Sequence, residues 1–232
     1  MENYDYLGDF YKAIQSKMPV PAFLSMLEEL EKQICIRDHY IHRRSGDRAN
    51  GKSPSFKVLE SEIVPVKRYL NYAKPFDSQI QFSVSSEAPD CRIFMQSHQP
   101  VGIEVTSIRN AAQREIAEAL NQSGYYHGIS TIRDAEPKQS KHLFHNRRNR
   151  SYTTDEVVEN YLHDIENVCV RKANSSCADI LLIACREGME CLSAQNWQSR
   201  ISTLAIPTSK LKIGQVFLVG RGEHGDLCFQ LK

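Results

Sequence analysis

The sequence predicts an α/β fold: a mixed central sheet flanked by helices, with an N-terminal helical extension. Three stretches carry this expectation. Residues 89–106 contain two short apolar runs of alternating pattern around a polar turn, which is a hairpin signature. Residues 153–172 place apolar side chains at helical spacing behind a capping box. Residues 178–185 are apolar on both faces, as a central strand covered by helices on two sides must be.

The hairpin organises the rest. Pro89-Asp90-Cys91-Arg92-Ile93-Phe94-Met95 is followed by Gln96-Ser97-His98-Gln99-Pro100 and then by Val101-Gly102-Ile103-Glu104-Val105-Thr106. If Met95 pairs with Val101, Arg92 faces Glu104 and Asp90 faces Thr106. Side chains alternate along a strand, so Cys91, Ile93, Ile103 and Val105 share an apolar face, and Asp90, Arg92, Glu104 and Thr106 share the other. In this register Asp90 and Glu104 are diagonal neighbours, roughly 7–8 Å apart at the backbone. Their carboxylates can then converge on one hard cation, which takes oxygen ligands at roughly 2.0–2.5 Å. The same two residues also admit a purely structural account, Asp90 as a strand-start cap and Glu104 paired with Arg92 across the hairpin. A glutamate in an otherwise apolar strand is costly unless something offsets its desolvation, which favours the cation account.

Pro89-Asp90, followed after a short hairpin by Glu104-Val105-Thr106, resembles the PD-(D/E)XK nuclease superfamily. The resemblance covers about residues 57–220 and implies a restriction-endonuclease-like fold, in the order helix, three-strand meander, helix, strand, helix, strand. It implies an acidic pair at the start of the second strand and inside the third. It further implies an Mg²⁺ or Mn²⁺ site made by Asp90, Glu104, the Val105 carbonyl and Glu62 of the first helix. The motif's lysine falls at Thr106, a departure that leaves the catalytic group to be supplied from elsewhere. Gln113, and Lys141 on charge alone, are candidates; Glu87 is a spare acidic ligand.

The composition fits an ordinary soluble protein, with 41% hydrophobic and 25% charged residues. A formal net charge of +1 advertises no global field for nucleic acid, so any basic surface is local. No run approaches the roughly 18 apolar residues of a membrane span, and the start, Met1-Glu2-Asn3-Tyr4-Asp5, is unlike a secretory signal. Seven cysteines without a CxxC pair fit scattered thiols in a reducing cytoplasm.

Along the chain, residues 1–42 read as the helical extension. A short helix over 4–18 is interrupted by Pro19 and Pro21, and a second runs from Ala22 to Ile36 with Phe23, Leu27, Leu30 and Ile34 on one stripe. It packs on the main domain or serves as an arm for a homodimer or another partner. Residues 43–56 read as a basic loop or linker. The stretch Gly46-Asp47-Arg48-Ala49-Asn50-Gly51-Lys52-Ser53 matches the phosphate-binding P-loop pattern literally. That pattern has a mechanism only when a buried strand feeds it, and Arg37–Arg44 is too charged for one.

The nuclease-like domain is placed at 57–232. Val58, Leu59, Ile63, Val66 and Leu70 mark its first helix, with a kink or late start expected at Pro65. Residues 79–85 alternate as a half-buried strand. Asn110 caps a further helix, near whose start Arg109 and Gln113 stand within expected reach of a phosphate. Lys138, Lys141, Arg147, Arg148 and Arg150 lie within thirteen residues with no acid among them, a loop suited to a phosphate backbone. His142 and His145 lack a third ligand nearby, so zinc is not expected. Ile213–Gly220 is a last buried strand.

The functional expectation is a metal-dependent nuclease acting on nucleic acid, DNA in the first instance. An inactive nuclease fold that binds nucleic acid or protein is the alternative, and a P-loop nucleotide hydrolase a more remote one.

Overall fold

The computed structural model describes residues 6–36, 58–83, 89–108, 153–172, 178–185, 189–204, 206 and 212–232. Seven strands form one mixed sheet in sequential order: β1 (Met18–Pro19), β2 (Gln79–Phe82), β3 (Cys91–Phe94), β4 (Val101–Ser107), β5 (Ile180–Ala184), β6 (Gln215–Gly222) and β7 (Gly225–Gln230). β1 to β4 are antiparallel neighbours, β4 to β6 are parallel, and β7 returns antiparallel on β6. The helices are α1 (Tyr6–Ile14), α2 (Val20–Ile36), α3 (Val64–Ala73), α4 (Thr154–Lys172) and α5 (Ala194–Ile201).

Alternation along the strands divides the core into two layers. Ile80, Phe82, Cys91, Ile93, Ile103, Ile180, Leu182, Phe217 and Val219 face α1, α2 and α3. Leu181, Ile183, Val216 and Leu218 face the opposite way, against Val158, Tyr161, Ile165 and Val168 of α4 and Trp197 and Ile201 of α5. All five residues of β5 are buried, as its unbroken apolar run requires. The apolar face expected for the hairpin is confirmed: Cys91, Ile93 and Ile103 are buried, with Val105 packed beside them.

The N-terminal helices belong to this core and do not stand off it as an arm. Phe23 of α2 stacks on Phe82 of β2 with ring centroids 5.1 Å apart, and Leu7, Phe10, Tyr11 and Ile14 of α1 are buried in the same layer. Met18, expected at the end of the first helix, and Pro19, expected as its interruption, instead add a short strand opposite Ile80 and Gln79. Proline offers no ladder N–H and is tolerated at such an edge. Pro21 falls in the first turn of α2, where a missing N–H costs nothing.

Pro65 lies inside a continuous helical run, just past a change of helix type. The chain opens as a π-helical turn, Leu59–Ile63, and the α-helix starts at Val64 with Pro65 in its first turn. β7 was not expected from the sequence. Its hairpin turns through Glu223-His224 into Gly225, whose φ of +137° only glycine adopts without strain. Cys91, Cys169, Cys185, Cys191 and Cys228 are free thiols. No helix among the described residues is long and apolar enough to cross a membrane.

Trp197 anchors the α4 side. It is fully buried, donates its indole N–H to the Met189 carbonyl at 2.8 Å and meets Tyr161 edge-on at 6.2 Å. Trp197→Ala should cost about 3–5 kcal/mol, measured as a lower denaturant midpoint by circular dichroism.

Candidate functional site

The hairpin register differs from the expected one by two residues. Cys91 pairs with Ile103, Arg92 with Gly102 and Ile93 with Val101. Met95 leaves the strand and opens a turn, accepting from the His98 N–H at 3.4 Å, with Ser97 in the left-handed region at φ +63°. A slip of two keeps every side chain on its face but changes the neighbours. Asp90 now stands across from Glu104, one residue beyond the last ladder pair, instead of on its diagonal. Arg92 lies opposite Gly102, so the expected Arg92–Glu104 pairing across the hairpin is not formed.

Asp90 is held on both sides. Its carbonyl accepts the Ser83 N–H at 2.8 Å, and its Oδ2 accepts the Val105 N–H at 2.6 Å. Pro89 in front of it sits against Gly102, where a Cβ would come within 3.1 Å of the proline ring. Gly102 thus makes room for the turn that presents Asp90. The start of β4 is tied to β5 by Asp179, whose Oδ2 accepts the Gly102 N–H at 2.7 Å while its own N–H donates to the Gly102 carbonyl at 3.0 Å.

Glu104 is buried, with 7% of its surface exposed. It lies opposite Leu181 in the β4–β5 ladder, on the face covered by α4. Lys172, the last residue of α4, donates its Nζ to Glu104 Oε1. A cation at this position also suits the negative end of the helix. The pair is only partly exposed, 22% for the Lys172 side chain and 10% for that of Glu104. Removing one partner of such a pair leaves a desolvated charge, at a cost of about 3–5 kcal/mol for a fully buried pair.

Asp90 feels the same charges. Burial is the largest influence and pushes its carboxyl above the usual range, and Glu104 pushes it the same way. The Val105 N–H and the Lys172 ammonium act in the opposite direction without cancelling the rise. Two carboxylates and one ammonium therefore share a half-dry corner. A hard divalent ion such as Mg²⁺ fits this donor set. It is commonly held by one or two carboxylates with the remaining positions left to water and phosphate.

The other expected residues divide clearly. Thr106 is half-buried on the Glu104 face, with a hydroxyl and no charge. Val105 sits beside Asp90 through its amide. Glu62 lies near Tyr11 of α1, whose phenol is pushed up by burial first and by the Glu62 charge last. Among the described residues no group of three or more histidine, cysteine, aspartate or glutamate side chains is placed to hold a metal ion. Glu62 therefore does not complete a three-acid set with Asp90 and Glu104. Glu87, Arg109, Gln113, Lys138, Lys141, Arg147, Arg148 and Arg150 lie outside the described residues, as does the Gly46–Ser53 motif.

Lys172 was not singled out from the sequence. Its visible signal was a basic residue in the last turn of a helix, which the helix end alone explains. Its partner is 68 positions away, and only the packing of α4 on the sheet joins them.

Compared with known proteins, the chain matches no family model, no curated protein and no solved structure.

The Asp90 carboxyl sits above its unfolded value, so the folded chain binds that proton more tightly than the unfolded chain does. The associated stability is full below the unfolded pKa and is lost as pH rises through the folded one. Asp90→Asn keeps an oxygen for the Val105 N–H and removes the loss. Thermal melts from about pH 3 to about pH 8 should show the variant gaining on the wild type as pH rises; a constant difference would contradict this assignment.

Proposed function

We propose that this chain is a metal-dependent nuclease of the restriction-endonuclease-like, PD-(D/E)XK type, hydrolysing phosphodiester bonds of nucleic acid, DNA in the first instance. The observation that carries the reading is the corner itself: Asp90 ahead of β3 and Glu104 within β4, opposed across the hairpin, with an ammonium delivered from α4. The order of elements supports it. A helix (α3) precedes the meander β2–β3–β4, and helix α4, strand β5, helix α5 and strand β6 follow.

In this reading Asp90, Glu104 and the Val105 carbonyl hold Mg²⁺ or Mn²⁺. Bound there, the ion lowers the pKa of a water and neutralises charge on the phosphoryl group. The Val105 N–H keeps Asp90 turned toward the site. Thr106 brings no charge to the position of the motif lysine, and Lys172 takes that part from the helix that covers the same face. Its ammonium donates to a phosphoryl oxygen as charge builds there. Water attacks phosphorus, the bond to the leaving oxygen breaks, the water's proton passes to solvent and the leaving oxygen takes one up from solvent.

A second reading, an inactive nuclease fold that binds nucleic acid or protein, draws on one observation: a threonine at the lysine position. An activity assay separates the two. Plasmid DNA, single-stranded DNA and RNA should be incubated with Mg²⁺, with Mn²⁺ and with EDTA. Cleavage should require the metal and fall by at least about 100-fold in Asp90→Ala and Glu104→Ala, and by a similar factor in Lys172→Ala. Absence of metal-dependent cleavage on all three substrates would decide for the inactive fold.

A further inference from the structure

Lys172 reaches Glu104 from a helix end. It is the last residue of α4, so its four-carbon stem can swing about its own bonds without unwinding a turn. Its Nζ lies on Glu104 Oε1, and its charge is also felt at Asp90. The ammonium thus occupies the charge position that a divalent ion would need. An ion on that carboxylate and the ammonium would repel each other, by several-fold more than in water in a partly desolvated corner.

We infer that Lys172 is a resident counter-ion of this site, exchanging places with the divalent ion. In the metal-free chain Lys172 neutralises Glu104 and keeps the buried carboxylate compatible with the fold. For a divalent ion to be held, Lys172 lets go of Glu104, and its freed ammonium becomes available to a phosphate at the mouth of the same corner. The inference rests on the metal-site reading above and adds to it a regulation: the metal affinity of the chain is set below what its two carboxylates would give alone. It also accounts for a lysine on α4 in place of one on β4. A side chain at the end of a helix can withdraw by rotation, whereas a lysine at position 106 would remain beside Glu104 on the same strand face.

The test uses the full chain, Mn²⁺ as the probe, and two readouts independent of cleavage. These are Mn²⁺ binding by electron paramagnetic resonance and the rise in melting temperature on adding Mn²⁺ to protein kept in EDTA. Lys172→Met removes the charge and keeps most of the stem. It should melt lower than the wild type in EDTA, bind Mn²⁺ at least about tenfold more tightly, and gain more on adding Mn²⁺ than the wild type does. Should it fail to fold in EDTA, Mn²⁺ should restore its circular dichroism; a chain left unfolded at Mn²⁺ levels that saturate the wild type would overturn the exchange. Equal or weaker binding in a folded Lys172→Met, with binding lost in Asp90→Asn, would also overturn the exchange while leaving the metal site standing. Mn²⁺ binding by neither the wild type nor Lys172→Met would overturn both.

Discussion

The contact between Lys172 and Glu104 joins the two halves of the site, and its cause is the two-layer core. Glu104 alternates onto the α4 face of β4 because its neighbours Ile103 and Val105 face the other layer. α4 is long enough to cross that face and end beside it. A carboxylate inside a sheet would otherwise be a net cost. Here a cation from the covering helix offsets its desolvation, and the corner stays charged and reachable.

The remaining pieces serve the position of Asp90. Pro89 needs the space that Gly102 leaves, Asp179 locks the start of β4 to β5, and the Val105 N–H fixes one oxygen of the carboxylate. None of these partners is itself an acid–base group of the proposed reaction. Together they hold Asp90 in a partly buried place beside Glu104, where burial first and the Glu104 charge after it raise its carboxyl.

The hairpin shows why one part of the site was legible and another was not. Its alternation assigned Cys91, Ile93 and Ile103 to the core and Asp90 and Glu104 to the opposite face, and both assignments hold. Its register was a different matter. Alternation has a period of two, so a shift of two residues leaves the pattern unchanged. The turn chemistry at Met95–His98 then decided which residues oppose each other. β1 and β7 were hidden for another reason: two residues ending in proline carry too little pattern to be read, and β7 has its apolar residues in one short run, Leu227-Cys228-Phe229, without alternation.

By itself the sequence determined the layers: buried runs at 178–185 and 213–220, helical stripes at 22–36 and 153–172, and an acidic pair on a strand face. These follow from local periodicity, which is a property of neighbouring residues. Tertiary structure alone decided that Asp90 stands across from Glu104, that Glu62 lies near enough to Tyr11 for its charge to be felt there, and that the ammonium of the site comes from Lys172. Those are contacts between elements far apart in the chain, set by turn geometry and by the packing of α4 on the sheet, and no local spacing encodes them.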